Sequence, residues 1–227
     1  MKRLHITAEG QTEESFVNNT LRQHLAKYGV YADVRRVLTG RKNGKLFRGG
    51  MTNYAKAKND IVRWIREEGY NHDVAFSTMF DFYALPDDFP GYDTARNERD
   101  PYRKVSIIED AFARDIADMR FVPYIQLHEF ETLLFANPQM FEIEYFESPD
   151  AVNALKMIVK KFGNPELIDQ GVETAPSKRI IKVIPDYANS KSIVGPMIAN
   201  EIGITELRES CLHFNEWLTK LEQLSDD

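Results

Sequence analysis

The chain has 227 residues, 43% hydrophobic and 28% charged, with a formal net charge of −6. That supplies enough apolar residue for a real core. The acidic balance excludes broad, sequence-independent duplex binding, which needs a basic face, while acids gathered around a metal leave a nuclease open. No apolar run approaches the roughly 20 residues of a membrane helix, and the start Met1-Lys2-Arg3 lacks the long apolar region of a secretory signal. Cys211 is the single cysteine, so no intrachain disulfide can form; it reads as a small buried hydrophobe, and a cytoplasmic setting is expected.

Residues 3–8 are β-rich and predict a first strand. Thr12 is the expected N-cap of a helix over 12–28, with Phe16, Val17, Leu21 and Leu25 at helical spacing. Gly29 ends it, and 31–38 predicts a second strand. Residues 39–50 are glycine-rich and basic and read as a solvated loop; the alternative is a phosphate cradle using Arg41, Lys42, Lys45 and Arg48, although the P-loop spacing is absent. A helix over 52–68 follows, then a near-continuous apolar strand over 73–81 of the kind buried on both faces. Residues 82–100 read as loop, 101–119 as a helix opened by Pro101, and 121–127 as a fourth strand. Beyond Glu129 the pattern is helical and broken by six prolines, with 204–224 the longest expected helix. Alternating strands and helices predict an α/β fold with a mostly parallel sheet of about four strands flanked by helices. The expected division is an α/β core over 1–136 and a helical part over 137–227 packed on it.

The chemistry sits where strands should end. Glu9 closes the first strand, Asp81 the third, and Glu129 and Glu131 follow the fourth. The carboxyl ends of parallel strands form the ligand crevice of such sheets. Acids converging there repel one another unless a cation lies between them, and all-oxygen ligation selects Mg²⁺ or Mn²⁺. Glu13, one turn into the first helix, faces the same place or serves the helix dipole; Glu14 points away. If the chain stays extended after the fourth strand, Glu129 and Glu131 share a side; if a helix starts, one of them reaches the site. His128 is expected as a hydrogen-bonded neighbour of the acids rather than a ligand. In Ala175-Pro176-Ser177-Lys178-Arg179, Lys178 is the candidate to offset charge on a phosphoryl oxygen.

Glu9-Gly10-Gln11-Thr12-Glu13, Phe80-Asp81-Phe82-Tyr83-Ala84-Leu85-Pro86, His128-Glu129-Phe130-Glu131-Thr132-Leu133-Leu134-Phe135 and Ala175-Pro176-Ser177-Lys178-Arg179, with Cys211-Leu212-His213-Phe214-Asn215-Glu216-Trp217-Leu218, resemble the bacterial family DUF4276. That family looks like a Toprim-like group related to overcoming-lysogenization-defect nucleases. The resemblance implies a Toprim-like core with a helical C-terminal extension. It further implies divalent-metal-dependent hydrolysis of DNA or RNA, and by analogy anti-phage defence beside an ABC-type ATPase. Glu9 matches the first Toprim acid and Asp81 the leading Asp of Asp-x-Asp, whose second position is Tyr83 here. Glu13, one of Glu129 or Glu131, and Lys178 are candidates for the remaining roles. A non-catalytic sensor or adaptor that binds such an ATPase or a phage component is the competing expectation, favoured by Tyr83.

Overall fold

The structure is a computed structural model describing residues 1–42, 45–48, 51, 53–169 and 171–226, without the side chains of 38–42, 45–48 and 172. The main sheet holds β1 (Lys2–Ala8), β2 (Val30–Arg36), β5 (Val74–Asp81), β6 (Phe121–Val122) and β7 (Ile125–Gln126) in the order β2-β1-β5-β6, with β7 also pairing β5. All of these pairings are parallel, Leu4 lying opposite Ala75 and Phe76 opposite Phe121. The α/β expectation therefore holds, with helices on the faces and a helical C-terminal end. Among the described residues no helix is long and apolar enough to cross a membrane.

The central strand β5 is buried over its whole length but for its last residue, Asp81, as its apolar run predicts. Its residues alternate between two cores. Ala75 and Met79 join Leu4, Ile6, Phe16 and the C-terminal Phe214 and Trp217. Phe76 and Phe80 join Ile61 and Phe112 from the helices Tyr54–Glu68 and Pro101–Ile116. Asp81 continues the first set in period two.

Local chemistry moves several boundaries. The helical run over 11–26 starts at Gln11 with Gly10, not Thr12, as N-cap, and passes through a π-helical segment at Val17–Leu21. The expected loop over 39–50 instead contributes a two-stranded antiparallel ribbon, β3 (Leu38–Lys42) and β4 (Lys45–Arg48). The expected fourth strand is two short ones, because Pro123 has no N–H for the ladder. Thr78 bridges the gap: its hydroxyl donates to Tyr124 O at 3.1 Å and accepts the Tyr124 N–H at 2.9 Å. The expected helix over 204–224 is two helices, Tyr187–Ser210 and Leu212–Glu222. Gly203 is non-helical (φ 80°, ψ 153°) inside the first, and buried Cys211 separates the two. The fully buried Glu166 carboxylate holds the second start by accepting the His213 and Phe214 N–H groups, each at 3.1 Å.

Candidate active site

The ends of β1 and β5 lie side by side: the Glu9 N–H donates to Met79 O at 3.1 Å. In return Glu9 Oε2 accepts the Asp81 N–H at 3.1 Å, so two acids 72 residues apart meet through one strand-end hydrogen bond. Glu13 is buried and its Oε2 accepts the Gly10 N–H at 2.8 Å. A Cβ at position 10 would stand 3.1 Å from that oxygen, which explains a glycine there. Glu13 thus serves both expectations, capping the helix and facing the strand ends. Glu14 turns away and pairs with Arg36 at 3.0 Å.

After β7 the chain is neither fully extended nor α-helical. His128 takes a left-handed φ of 63°, Glu129 is extended, and a 3₁₀ helix starts at Phe130. Glu129 Oε2 accepts the Ser177 N–H at 2.9 Å, which caps the helix Pro176–Val183. Glu131 is buried and its Oε1 accepts the Tyr187 hydroxyl at 3.2 Å. Lys191 Nζ lies 3.8 Å from the same oxygen. Tyr187 and Lys191 stand four residues apart on one helix, hence on one face. Gly195, a turn further, allows the close approach: a Cβ there would be 2.8 Å from Tyr187 Oη and 3.6 Å from the Phe130 ring.

Burial dominates the electrostatics. It pushes Glu9 up to about 7, helped by the neighbouring Glu13 charge. It pushes Glu131 up to about 7 even though Lys191 opposes the shift. Glu13 and Asp81 are raised for the same reason, Asp81 further by Glu13, Glu9 and Glu131. Lys191 is raised, chiefly by Glu131, with Glu129, Asp81 and Glu13 adding. Among the described residues, five carboxylates therefore feel one another and one half-buried ammonium, so this cluster carries excess negative charge when ionised.

The donor set is all carboxylate oxygen, and Asp81 Oδ1 is buried with no hydrogen-bond partner. Both features fit a hard divalent cation. Among the described residues, no three His, Cys, Asp or Glu side chains are already grouped so as to hold a metal ion; the acids are neighbours and not a formed ligand shell.

Glu9, Glu13, Asp81, Glu129 and Glu131 come together, whereas Lys178 does not join them by any contact and is exposed on the helix Pro176–Val183. Its segment reaches the site through the Ser177 backbone instead. Sequence reasoning missed Lys191 and Tyr187; their i, i+4 spacing was the available signal. The side chains of Arg41, Lys42, Lys45 and Arg48 lie outside the described residues. Tyr83 donates its N–H to His128 O at 3.0 Å, and burial together with the adjacent Asp169 raises its phenol above the ordinary range. His128 is hydrogen-bonded, through Nε2, to Glu166 O at 3.0 Å.

The structure places a strand-end acid cluster on a parallel α/β sheet. The chain belongs to the family described as "Domain of unknown function (DUF4276)", whose model matches residues 8–222. No curated protein matches it. Among solved structures it is similar to the C-terminal region of the Xanthomonas campestris pv. campestris OLD protein. That match has 15% identity over 97% of each chain and a TM-score of 0.37.

Proposed function

We propose that the acid cluster is the centre of a Toprim-like, divalent-metal-assisted hydrolase of DNA or RNA phosphodiesters. The buried, unpartnered Asp81 Oδ1 beside Glu9 is the observation that carries this reading. Glu9, Asp81 and one of Glu129 or Glu131 would hold Mg²⁺ or Mn²⁺. Such an ion supplies charge to polarise the phosphate and lowers the pKa of water. Glu13, raised by burial, would be a further metal ligand or would orient water, and its bond to Gly10 fixes its direction. Lys191 balances the acids before substrate arrives and offsets charge on the phosphoryl oxygens as it develops; Lys178 stays a candidate for the same task from the helix Pro176–Val183. Arg41, Lys42, Lys45 and Arg48 would contact the nucleic-acid backbone. By analogy with its relatives, the protein would work in the cytoplasm, in anti-phage defence beside an ABC-type ATPase. Purified protein with plasmid or tRNA, with and without Mn²⁺, tests the proposal: metal-dependent cleavage is expected, and unchanged cleavage by a Glu9→Gln/Asp81→Asn variant refutes the assignment.

A second reading, a non-catalytic adaptor for an ATPase or phage component, is favoured by Tyr83, which stands where the second Toprim acid would be and is engaged with His128 and Asp169. Calorimetric titration separates the two. The hydrolase binds Mn²⁺ at millimolar concentration or better, and the adaptor has no such requirement.

A further inference from the structure

A groove of about 600 Å³ lies between the helical run over 11–26 and the helix Tyr187–Ser210, and none of the clustered acids lines it. Gln11, Ser15, Asn19 and Gln23 form one wall. They recur every fourth residue, a step of about 6 Å along a helix. An α-helix turns every 3.6 residues, so such a stripe drifts around the axis. The wider π-helical turn at Val17–Leu21 offsets that drift. Ser192, Pro196 and Asn200 repeat at the same interval on the opposite wall, with Ile193 and Met197 beside them. Thr20 Oγ1 donates to Asn200 Oδ1 at 3.1 Å, which ties the walls together and leaves the Asn200 amide hydrogens unused by that bond.

Among the described residues, the lining contains no charged and no aromatic side chain. The chain is 28% charged, so ten lining residues of average composition would include about three charges. A nucleic-acid strand needs cations for its phosphates and aromatic faces for its bases, and it fits this lining poorly. A side-chain amide carries both a donor and an acceptor, as every peptide unit does. Gln11, Asn19 and Gln23 are exposed and have no hydrogen-bond partner among the described residues. Pro196 has no N–H to give the Ser192 carbonyl, so the helix lacks that rung on the groove wall. Ile193, 70% exposed, and half-buried Met197 stand a turn apart and form an apolar strip. In an extended chain, peptide units facing one side recur every two residues, about 6.8 Å apart, close to the amide step. The roughly 18 Å from Gln11 to Gln23 spans about five such residues.

We propose that this groove docks an extended, uncharged segment of about five residues from a partner protein. Gln11, Asn19, Gln23 and Asn200 hold its backbone, and an apolar side chain of the segment rests on Ile193 and Met197. Such docking needs neither the acid cluster nor a metal, so it goes beyond the hydrolase reading and stands or falls separately from it.

A random heptapeptide display library panned against the full chain, with the selected peptides resynthesised for calorimetry, tests this. Uncharged peptides with apolar residues at alternate positions are expected, binding at about 100 μM or tighter. Asn19→Ala/Gln23→Ala should weaken them at least about tenfold, the scale of two lost neutral hydrogen bonds. Ile193→Asp should weaken them similarly, and N-methylation of alternate peptide nitrogens should abolish binding. Circular dichroism checks that the variants are folded, and Glu9→Gln/Asp81→Asn should bind as the wild type does whether or not the protein cuts nucleic acid. No selected peptide, a preference for charged peptides, or binding that survives the groove variants or N-methylation overturns the proposal. So does an oligo-dT or oligo-U strand whose binding is lost in Asn19→Ala/Gln23→Ala, which makes the groove a nucleic-acid track. A dimer seen by light scattering that the same variant dissociates overturns it too, with a second copy of the chain as the occupant.

Discussion

Replacing Glu131 by Gln should stabilise the protein at pH 8 and do little at pH 4.5. Glu131 is 2% exposed and its carboxyl is pushed from 4.5 up to about 7 by burial, against the opposing effect of Lys191. A raised acid pKa means that the folded state keeps its proton between about pH 4.5 and 7 while the unfolded chain has released it. Stability therefore falls as pH rises through that window, and the loss is complete above the folded pKa. At about 1.4 kcal/mol per pKa unit, the ionised carboxylate costs the fold about 3 kcal/mol at pH 8. Gln keeps the shape and the carbonyl oxygen that accepts from Tyr187, and it removes the charge. Urea unfolding of both proteins at pH 4.5, 6 and 8 measures the difference; the expected gain at pH 8 is about 3 kcal/mol, shrinking toward zero at pH 4.5. A stability difference that is the same at all three pH values, or a loss at pH 8, would refute the view that Glu131 is an acid short of positive charge.

Other outcomes follow from the same geometry. Mn²⁺ or Mg²⁺ at a hundred times its dissociation constant should raise stability by about 2.7 kcal/mol, more at pH 8 than at pH 5, and Glu9→Gln/Asp81→Asn should abolish the shift in thermal melts. Lys191→Met should lower cleavage about a hundredfold, the scale of one lost electrostatic donor, and by more than Lys178→Met; the opposite order would return the role to Lys178. Gly195→Ala places a Cβ 2.8 Å from Tyr187 Oη and should destabilise by about 1–3 kcal/mol, with Tyr187→Phe restoring part of the loss in urea titrations. Thr78→Val removes both Tyr124 hydrogen bonds and should cost about 1–3 kcal/mol.

What was legible in the sequence was whatever the backbone period writes locally. The apolar run of β5 announced a strand buried on both faces, and its terminal Asp81 announced an acid at a strand end. The same reasoning located Glu9, because a parallel sheet brings carboxyl ends together regardless of the residues between them. The antiparallel pairing of β3 and β4 was hidden by glycines and cations that read as loop. Gly10 displaced Thr12 as N-cap because Glu13 folds back onto its N–H, a pairing that turns on side-chain direction and not on residue type. Lys178 drew notice through its Pro-Ser-Lys-Arg setting, yet that segment delivers the Ser177 N–H to Glu129, so its regularity marks a helix start. Lys191 lies in a polar stretch with no motif. Only the packing of the helix Tyr187–Ser210 against the 3₁₀ turn carrying Glu131 gives it meaning.

That packing also bears on the proposed centre. Tyr83 sits where a second acid is expected, yet the cluster is not poorer in negative charge for it, because Glu13 and Glu131 enter from two other elements and raise Asp81 together with Glu9. A protein that used this crevice only as a docking surface would gain nothing from four acids, two buried and two half-buried, raised toward neutrality with one ammonium near them among the described residues, since each costs folding energy whenever it ionises. An added cation would stabilise such an arrangement. This expected dependence, more than the identity of the residue at position 83, is what favours the proposed metal-assisted reading over the adaptor.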